Sequence, residues 1–599
     1  MKNKFILFYS SVLLISCAPE TKVTKAVSWD LARASYLRSI QNANQYIDSL
    51  LIVEPNDPKA KLLFIQLRRQ FKKAEPYASY LNPEVGHRAN GPALPLYKED
   101  TGKIMRPFGL QKIEESIYDG NTSKEQFQVE LKLTKGLLGN LEHNIADKPL
   151  NPQRFFIAVQ QQLLRIISHS ISGFDTPVSH LGISESAISL NHLKELYGFT
   201  LADAIKRKNS TLHSTFLELI DRAVVYLNTN TDFESFDRYS FIRDYFNPIT
   251  RSWKNIRDQS GLWTNVDNKP FNFDASTFFE DASFNTLFFT PPVDRPITDA
   301  KIALGEKLFF EPRLSQSRNM ACVSCHNPEK AYADGLVFNT DNAGKSLDRN
   351  TPTLLNTIYQ QNFFWDGRSP TLADQISNVF TNDREFNTAV HQFSDDILQD
   401  SLYTTLLRKV YPNTALKNIH IVKAISAYVG TLNTFNSKFD KNMRGEESTF
   451  TKEEQLGMNL FMGKALCATC HFMPLTNGTV PPFYTETEKE VIGVPETKQN
   501  KKLDGDLGFY WMYGEELHRG MFKTPSVRNA ELTAPYMHNG VYATLEEVMD
   551  FYNQGGGAGM GFVLERQTLP FDALNLSDSE QKALVAFVKT LTDAEVKAL

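Results

Sequence analysis

The chain has 599 residues, with 64 Lys and Arg against 69 Asp and Glu, a formal net charge of −5, and 5 cysteines. That length is more than one hydrophobic core can serve, so about three or four domains are expected. The weak acidity excludes the concentrated basic surface of a phosphate binder, so no nucleic-acid partner is expected, and after the first residues no stretch is long and apolar enough to cross a bilayer.

The N-terminus reads Met1-Lys2-Asn3-Lys4, an apolar run over residues 5–15, then Ser16-Cys17: a basic start, a short apolar region and a small-residue cleavage site. Residues 1–17 are therefore expected to be a signal peptide. Leu14-Ile15-Ser16-Cys17 resembles a bacterial lipobox, which implies lipidation of Cys17 and a periplasm-facing protein tethered to a membrane by its lipid. Ala18 points to the outer membrane rather than the inner one.

Residues 18–287 carry helical periodicity, as over 154–170 and 212–227, with no evident strand alternation, and predict a helical N-terminal domain. Within it, Gly109-Leu110-Gln111-Lys112-Ile113-Glu114 is similar to the Gly-x-His-x-x-Glu signature of imelysin-like domains, with Gln111 in the histidine's place. Glutamine is a poor metal ligand, and the plainer reading is one helix face with Ile113 buried and Glu114 exposed. The prolines of residues 288–296 mark the main boundary.

Beyond it the chain repeats. Leu304-Gly305-x-x-Leu308-Phe309 precedes Cys322-Val323-Ser324-Cys325-His326, and Leu456-Gly457-x-x-Leu460-Phe461 precedes Cys467-Ala468-Thr469-Cys470-His471. Helices over residues 424–432 and 583–591 close the two units, with apolar positions at i, i+3, i+4 and i+7. Thr451 with Glu454 and Ser577 with Glu580 predict capping boxes. The fold class is all-α: the helical domain, then two tandem cytochrome c-like domains at 288–445 and 446–599.

Each pentad supplies two thiols spaced for the vinyl groups of a porphyrin and an imidazole placed to reach its iron, so two covalently bound haem c groups are expected. The other readings are a zinc site built from both cysteine pairs, or redox dithiols. With Cys17 assigned to lipid, no cysteine is left over.

From about Ile297 onward the chain resembles the di-haem bacterial cytochrome c peroxidases and their MauG-type relatives. The resemblance rests on residues 308–315, Arg349-Asn350-Thr351-Pro352-Thr353, Phe364-Trp365-Asp366-Gly367-Arg368 and Pro535-Tyr536-Met537-His538-Asn539-Gly540. It implies that hydrogen peroxide binds at the haem of Cys322, Cys325 and His326, and that the haem of Cys467, Cys470 and His471 relays electrons. It implies an acid-base role for Glu385, with Gln375 as its neighbour, and an electron-conducting role for Trp365 between the haems. It also places a calcium ion (Ca2+) at Asn350 and the carbonyls of Thr533 and Pro535, oxygen donors that suit a hard cation.

Two departures stand out. Residues 327–364 contain no histidine and no methionine, so the first iron is expected to be open, with Asn342-Ala343 where a distal ligand would stand and His391 as a remote outside ligand. The sixth ligand of the second iron falls on Tyr552, as in MauG-type proteins, with Met549 as its rival. Phenolate stabilises ferric iron and thioether raises the potential.

The leading expectation is a di-haem peroxidase drawing electrons from a small periplasmic donor, a cytochrome c or a cupredoxin. The alternatives are a MauG-like oxidase of a protein or small molecule, and a tethered di-haem electron carrier.

Overall fold

The computed structural model describes residues 28–98, 101–119, 121–388 and 393–598, so the expected signal peptide with Cys17, and His391, lie outside the described residues. The architecture is all-α. The described strands form only two antiparallel pairs, Leu96–Lys98 with Lys103–Met105 and Lys489–Glu490 with Phe522–Lys523. Strands of two or three residues are too short to set an alternation, and nothing in the sequence announces them.

The N-terminal helices begin where a side chain satisfies a free N–H group. Ser28 caps Trp29–Leu50, Asp57 caps Pro58–Leu81, Asn151 caps Pro152–Arg165 and Asn209 caps Ser210–Thr229. The helix expected over residues 154–170 continues past Arg165 as a π-helical turn, Ile166–Ser170. Around that turn lies a buried ionic network. Arg68 meets Glu185 at 2.7 Å, and Lys72 meets Glu75 at 2.9 Å and Asp175 at 2.6 Å, so each of these two buried cations has a counter-ion.

Gln111 and Glu114 line the same interior. Gln111 donates to the Phe174 carbonyl, and the fully buried Glu114 accepts the Ser179 N–H at 2.7 Å. The exposed Glu114 of the sequence reading is thus corrected: residues 174–179 pack over that helix face, and burial pushes its carboxyl up to about 7.

The two haem units are built alike. Asp299–Phe309 packs on Asn418–Val429, and Lys452–Phe461 packs on Asp578–Thr590, with the Thr451/Glu454 and Ser577/Glu580 capping boxes in place. At both crossings a glycine touches backbone. A Cβ on Gly305 would stand 1.9 Å from the Ala424 carbonyl oxygen, and one on Gly457 would stand 1.9 Å from that of Ala583. The repeated Leu-Gly therefore records a close helix crossing.

The cores do not follow chain order. One apolar core runs from the N-terminal helices, through Phe156 and Trp253, into the second unit at Met458, Phe461 and Phe587. The first unit has a separate core around Leu304, Phe309, Ile425 and Tyr428. Polar contacts repeat the pattern: Asn459 donates to Asp237 at 3.0 Å and its Oδ1 accepts the Tyr239 N–H at 3.0 Å.

Candidate functional site

Cys322–Cys325 forms a single helical turn with His326 at its end, and Cys467–Thr469 opens the second pentad as a 3-10 turn. Both histidines are held in the same way. His326 Nδ1 lies 3.1 Å from the Tyr332 carbonyl oxygen, and His471 Nδ1 lies 3.0 Å from that of Pro525. A carbonyl at Nδ1 fixes the proton there and leaves the Nε2 lone pair free. Burial keeps both imidazoles neutral, lowering His326 and bringing His471 to about 4.

The four thiols are free of disulfides and only partly buried by surface area. Burial pushes Cys322, Cys325 and Cys467 up to about 12, and Cys470 well above the usual thiol range. Redox dithiols need the reverse, a lowered pKa. A shared zinc site would need the pairs together, and among the described residues no three His, Cys, Asp or Glu side chains are grouped as such a site requires. Paired thiols beside a neutral imidazole with a free Nε2 fit a covalently held haem.

Glu385 stands over the first pentad, close enough that its charge raises both the Cys322 and Cys325 thiols. Burial pushes its own carboxyl above the ordinary range, while the Asn382 amide, Arg368 and Arg384 pull it back. Asn382 Nδ2 donates to Glu385 Oε2 at 2.7 Å. Asn342 reaches across to the same loop, donating from Nδ2 to the carbonyls of Asp383 (2.7 Å) and Glu385 (2.9 Å). The Asn342-Ala343 segment is thereby pinned to the loop that carries Glu385.

Trp365 joins the two units. Its indole N–H donates to the Asn350 carbonyl at 2.8 Å, and its own carbonyl accepts the Lys523 N–H at 2.7 Å. The turn that presents it has left-handed backbone at Phe364 (φ 64°) and at Gly367 (φ 69°). Gln375 holds this turn, its Oε1 accepting the Phe364 N–H at 3.2 Å. Gln375 thus contacts the backbone next to Trp365, and no hydrogen bond joins it to Glu385 among the described residues.

Asn350 also donates its backbone N–H to the His538 carbonyl at 2.7 Å, which brings it to the loop holding Thr533 and Pro535. Among the described residues, nothing donates to Asn350 Oδ1 or to the Thr533 and Pro535 carbonyls. Oxygens left unclaimed in this way suit a hard cation.

On the second pentad, Tyr552 shares the space of the thiols. Burial raises its hydroxyl first, and Cys467, Cys470 and Glu490 add to the effect. Met549 packs in the apolar core with Leu545 and Phe461.

Several residues here had no signal in the sequence. Asn382 is an ordinary turn residue until its amide meets Glu385. Glu490 accepts from the Cys470 thiol at 3.5 Å. His169, in the π turn, stacks on Phe472 with ring centroids 5.5 Å apart, so the N-terminal helices touch the residue after His471. Between the units, Arg349 bridges Asp506 and Asp366 at 2.6 Å each; within the second unit, His538 stacks on Phe522 at 3.8 Å and meets Asp504 at 3.2 Å. Burial alone would raise Asp504, but His538, the Asp506 N–H and Asn539 hold it at about 2.

Residues 299–448 match the family model described as di-haem cytochrome c peroxidase. The chain is 35% identical to the cytochrome-c peroxidase IdrP2 of Pseudomonas sp. (strain SCT), over 49% of this chain and 81% of that protein. It is 32% identical to the methylamine utilization protein MauG of Methylorubrum extorquens, over 50% and 80% respectively. It is also 32% identical to the cytochrome c551 peroxidase of Nitrosomonas europaea, over 48% and 79%. A solved MauG-like protein associated with microbial copper homeostasis is 28% identical, with a TM-score of 0.45, over 51% of this chain and 93% of that one. The chain belongs to the di-haem cytochrome c peroxidase and MauG family of oxidoreductases.

Proposed function

We propose that the protein is an exported, lipid-anchored di-haem peroxidase that reduces hydrogen peroxide to water with electrons from a small periplasmic donor such as a cytochrome c. Cys322, Cys325 and His326 would hold one haem c. Cys467, Cys470 and His471 would hold the other, with Tyr552 as sixth ligand. The observation that carries the reading is Glu385, a carboxyl with raised affinity for its proton, fixed by Asn382 and Asn342 beside the first pentad.

The bound haems would supply the redox-active iron through which two electrons reach peroxide, in the sum H2O2 + 2 H+ + 2 e− → 2 H2O. The chain's own part is proton handling. The Glu385 carboxylate takes the proton of the inner peroxide oxygen and returns it to the outer one, making water the leaving group. Asn382 steadies the charged form of Glu385, and Asn342 fixes the position of its backbone. Trp365, bonded to both units, provides an aromatic bridge for electrons. Asn350, Thr533 and Pro535 would hold Ca2+ and tie the 533–538 loop to the first unit.

A MauG-like oxidation of a protein or small molecule is the second reading. It is favoured by the absence of histidine and methionine from residues 327–364 and by Tyr552 at the second pentad. Stopped-flow mixing of peroxide with the fully reduced protein and excess reduced cytochrome c separates the two. Sustained cytochrome oxidation at two equivalents per peroxide supports the peroxidase; a single burst followed by oxidation of tyrosine or tryptophan in an added target supports the oxidase.

A further inference from the structure

The N-terminal domain grips one stretch of the second unit, residues 472–486, which starts at the residue after His471. His169 stacks on Phe472 with the two rings inclined by 26°, and Phe174 meets the same ring edge-on at 5.2 Å. Further along, the Arg165 guanidinium lies over the Phe483 ring at 5.4 Å, and Phe271 and Phe284 pack on the Tyr484 ring at 6.0 and 5.3 Å. Phe472 itself is fully buried.

The π turn brings His169 to this place. Its wider winding, with the Ile171 N–H bonded to the Ile166 carbonyl at 3.1 Å, offsets the side chains of Ile166–Ser170 from the register of the helix before them. Ser168 Oγ, 2.7 Å from His169 Nδ1, fixes the plane of the ring. Burial holds the imidazole neutral, down at about 3, so His169 brings a ring and no charge to the contact.

What the grip holds is a closed circuit around His471. The Val527 N–H donates to the Thr476 carbonyl at 3.0 Å, and Arg528 Nη2 donates to the Pro474 carbonyl at 3.0 Å. Those bonds tie residues 472–476 to the segment whose Pro525 carbonyl faces His471 Nδ1 at 3.0 Å. Phe472 stands at the corner of this circuit, one peptide bond from His471. The hydrogen bond at Nδ1 of an axial histidine sets how much electron density the ring gives to iron, and with it the reduction potential. We propose that His169 is a positioning residue for the second haem: by fixing the Phe472 ring, the N-terminal domain keeps His471 aligned with the Pro525 carbonyl and so sets that haem's potential. This inference rests on the reading that Cys467, Cys470 and His471 hold a haem. It gives the part of the chain outside the family match a task at the electron-relaying centre.

Potentiometric titration of the haem-loaded full chain, followed by optical and electron paramagnetic resonance spectra, tests it. His169→Ala opens space beside Phe472 and weakens the Nδ1–H···O bond. A poorer donor stabilises ferric iron less, so the potential of the second haem should rise and its resonance signal should move, while both properties of the first haem stay at their wild-type values. His169→Phe keeps a ring on Phe472 and should keep the wild-type potential. Phe174→Leu loosens the same clamp from its edge and should shift the second haem in the same direction as His169→Ala. A second haem unchanged in His169→Ala overturns the inference; where that variant does not fold, an unchanged second haem in Phe174→Leu does so. Equal shifts in His169→Ala and His169→Phe, or in both haems together, overturn it as well. A haem count below two per chain in the wild type, taken before any titration, overturns instead the haem reading beneath it.

Discussion

In the proposed reaction Glu385 would handle the proton, and its surroundings fit it for that part. In the sequence it is one acid in Asp383-Arg384-Glu385, and only the family resemblance singles it out; the reason it suits the task is burial, which raises its proton affinity, against the Asn382 amide, which lowers it. Glu385→Gln is expected to slow the peroxide reaction by roughly 10²–10⁴-fold, the usual contribution of a positioned acid-base group, with haem content unchanged. The sign of the pH effect follows from the raised pKa. In the proposed mechanism the base is the carboxylate, so the rate should fall on acidification with an apparent pKa above the ordinary carboxylate range. Asn382→Ala removes a donor that stabilises the charged form and should move that acid limb to still higher pH. A limb that stays put in Asn382→Ala would remove Asn382 from the proton-handling group.

Trp365 shows the opposite balance of evidence. Its motif was readable, yet its binding to both units, through Asn350 and Lys523, comes from backbone carbonyls and N–H groups that no residue pattern records. Trp365→Phe keeps an aromatic ring and loses the indole hydrogen bond. It should slow electron exchange between the haems, measured by pulse reduction, while leaving both pentads loaded.

The element scale was the most legible. Helices at the starts and ends of both haem units follow from apolar spacing and capping boxes, because those signals are local. The glycine crossings were visible only as repetition. Their reason is a helix approach that leaves no room for a methyl group, and a single substitution tests it. Gly305→Ala or Gly457→Ala should each cost about 1–3 kcal/mol in thermal or denaturant unfolding, the range for overpacking a tight contact. The buried Arg528–Asp440 pair, 2.9 Å apart, ties Lys438–Arg444 to the segment whose Pro525 carbonyl orients His471. Arg528→Met strands a buried carboxylate and should cost about 3–5 kcal/mol.

For the whole molecule, chain order misled. The sequence places the N-terminal helices before the first haem unit, yet their core is continuous with the second. Long-range packing of that kind has no periodicity to read. A fragment starting at Pro291 would expose the Phe461 and Phe587 side of that core. It is expected to aggregate or to be cleaved within the second unit by limited proteolysis, while the full chain survives. At the same junction His169 stacks on Phe472, and His87 and Arg88 share a cavity with Glu488 and Glu490, so the part of the chain outside the family match borders the second haem site.

The central claim is that the chain holds two haems, the first with a free coordination position beside Glu385 and the second closed by Tyr552. Electron paramagnetic resonance of the oxidised full-length protein tests it most directly. The account predicts one high-spin ferric signal that changes on adding peroxide and one low-spin signal that alone is altered by Tyr552→Phe. Two low-spin signals, both indifferent to peroxide, would contradict it.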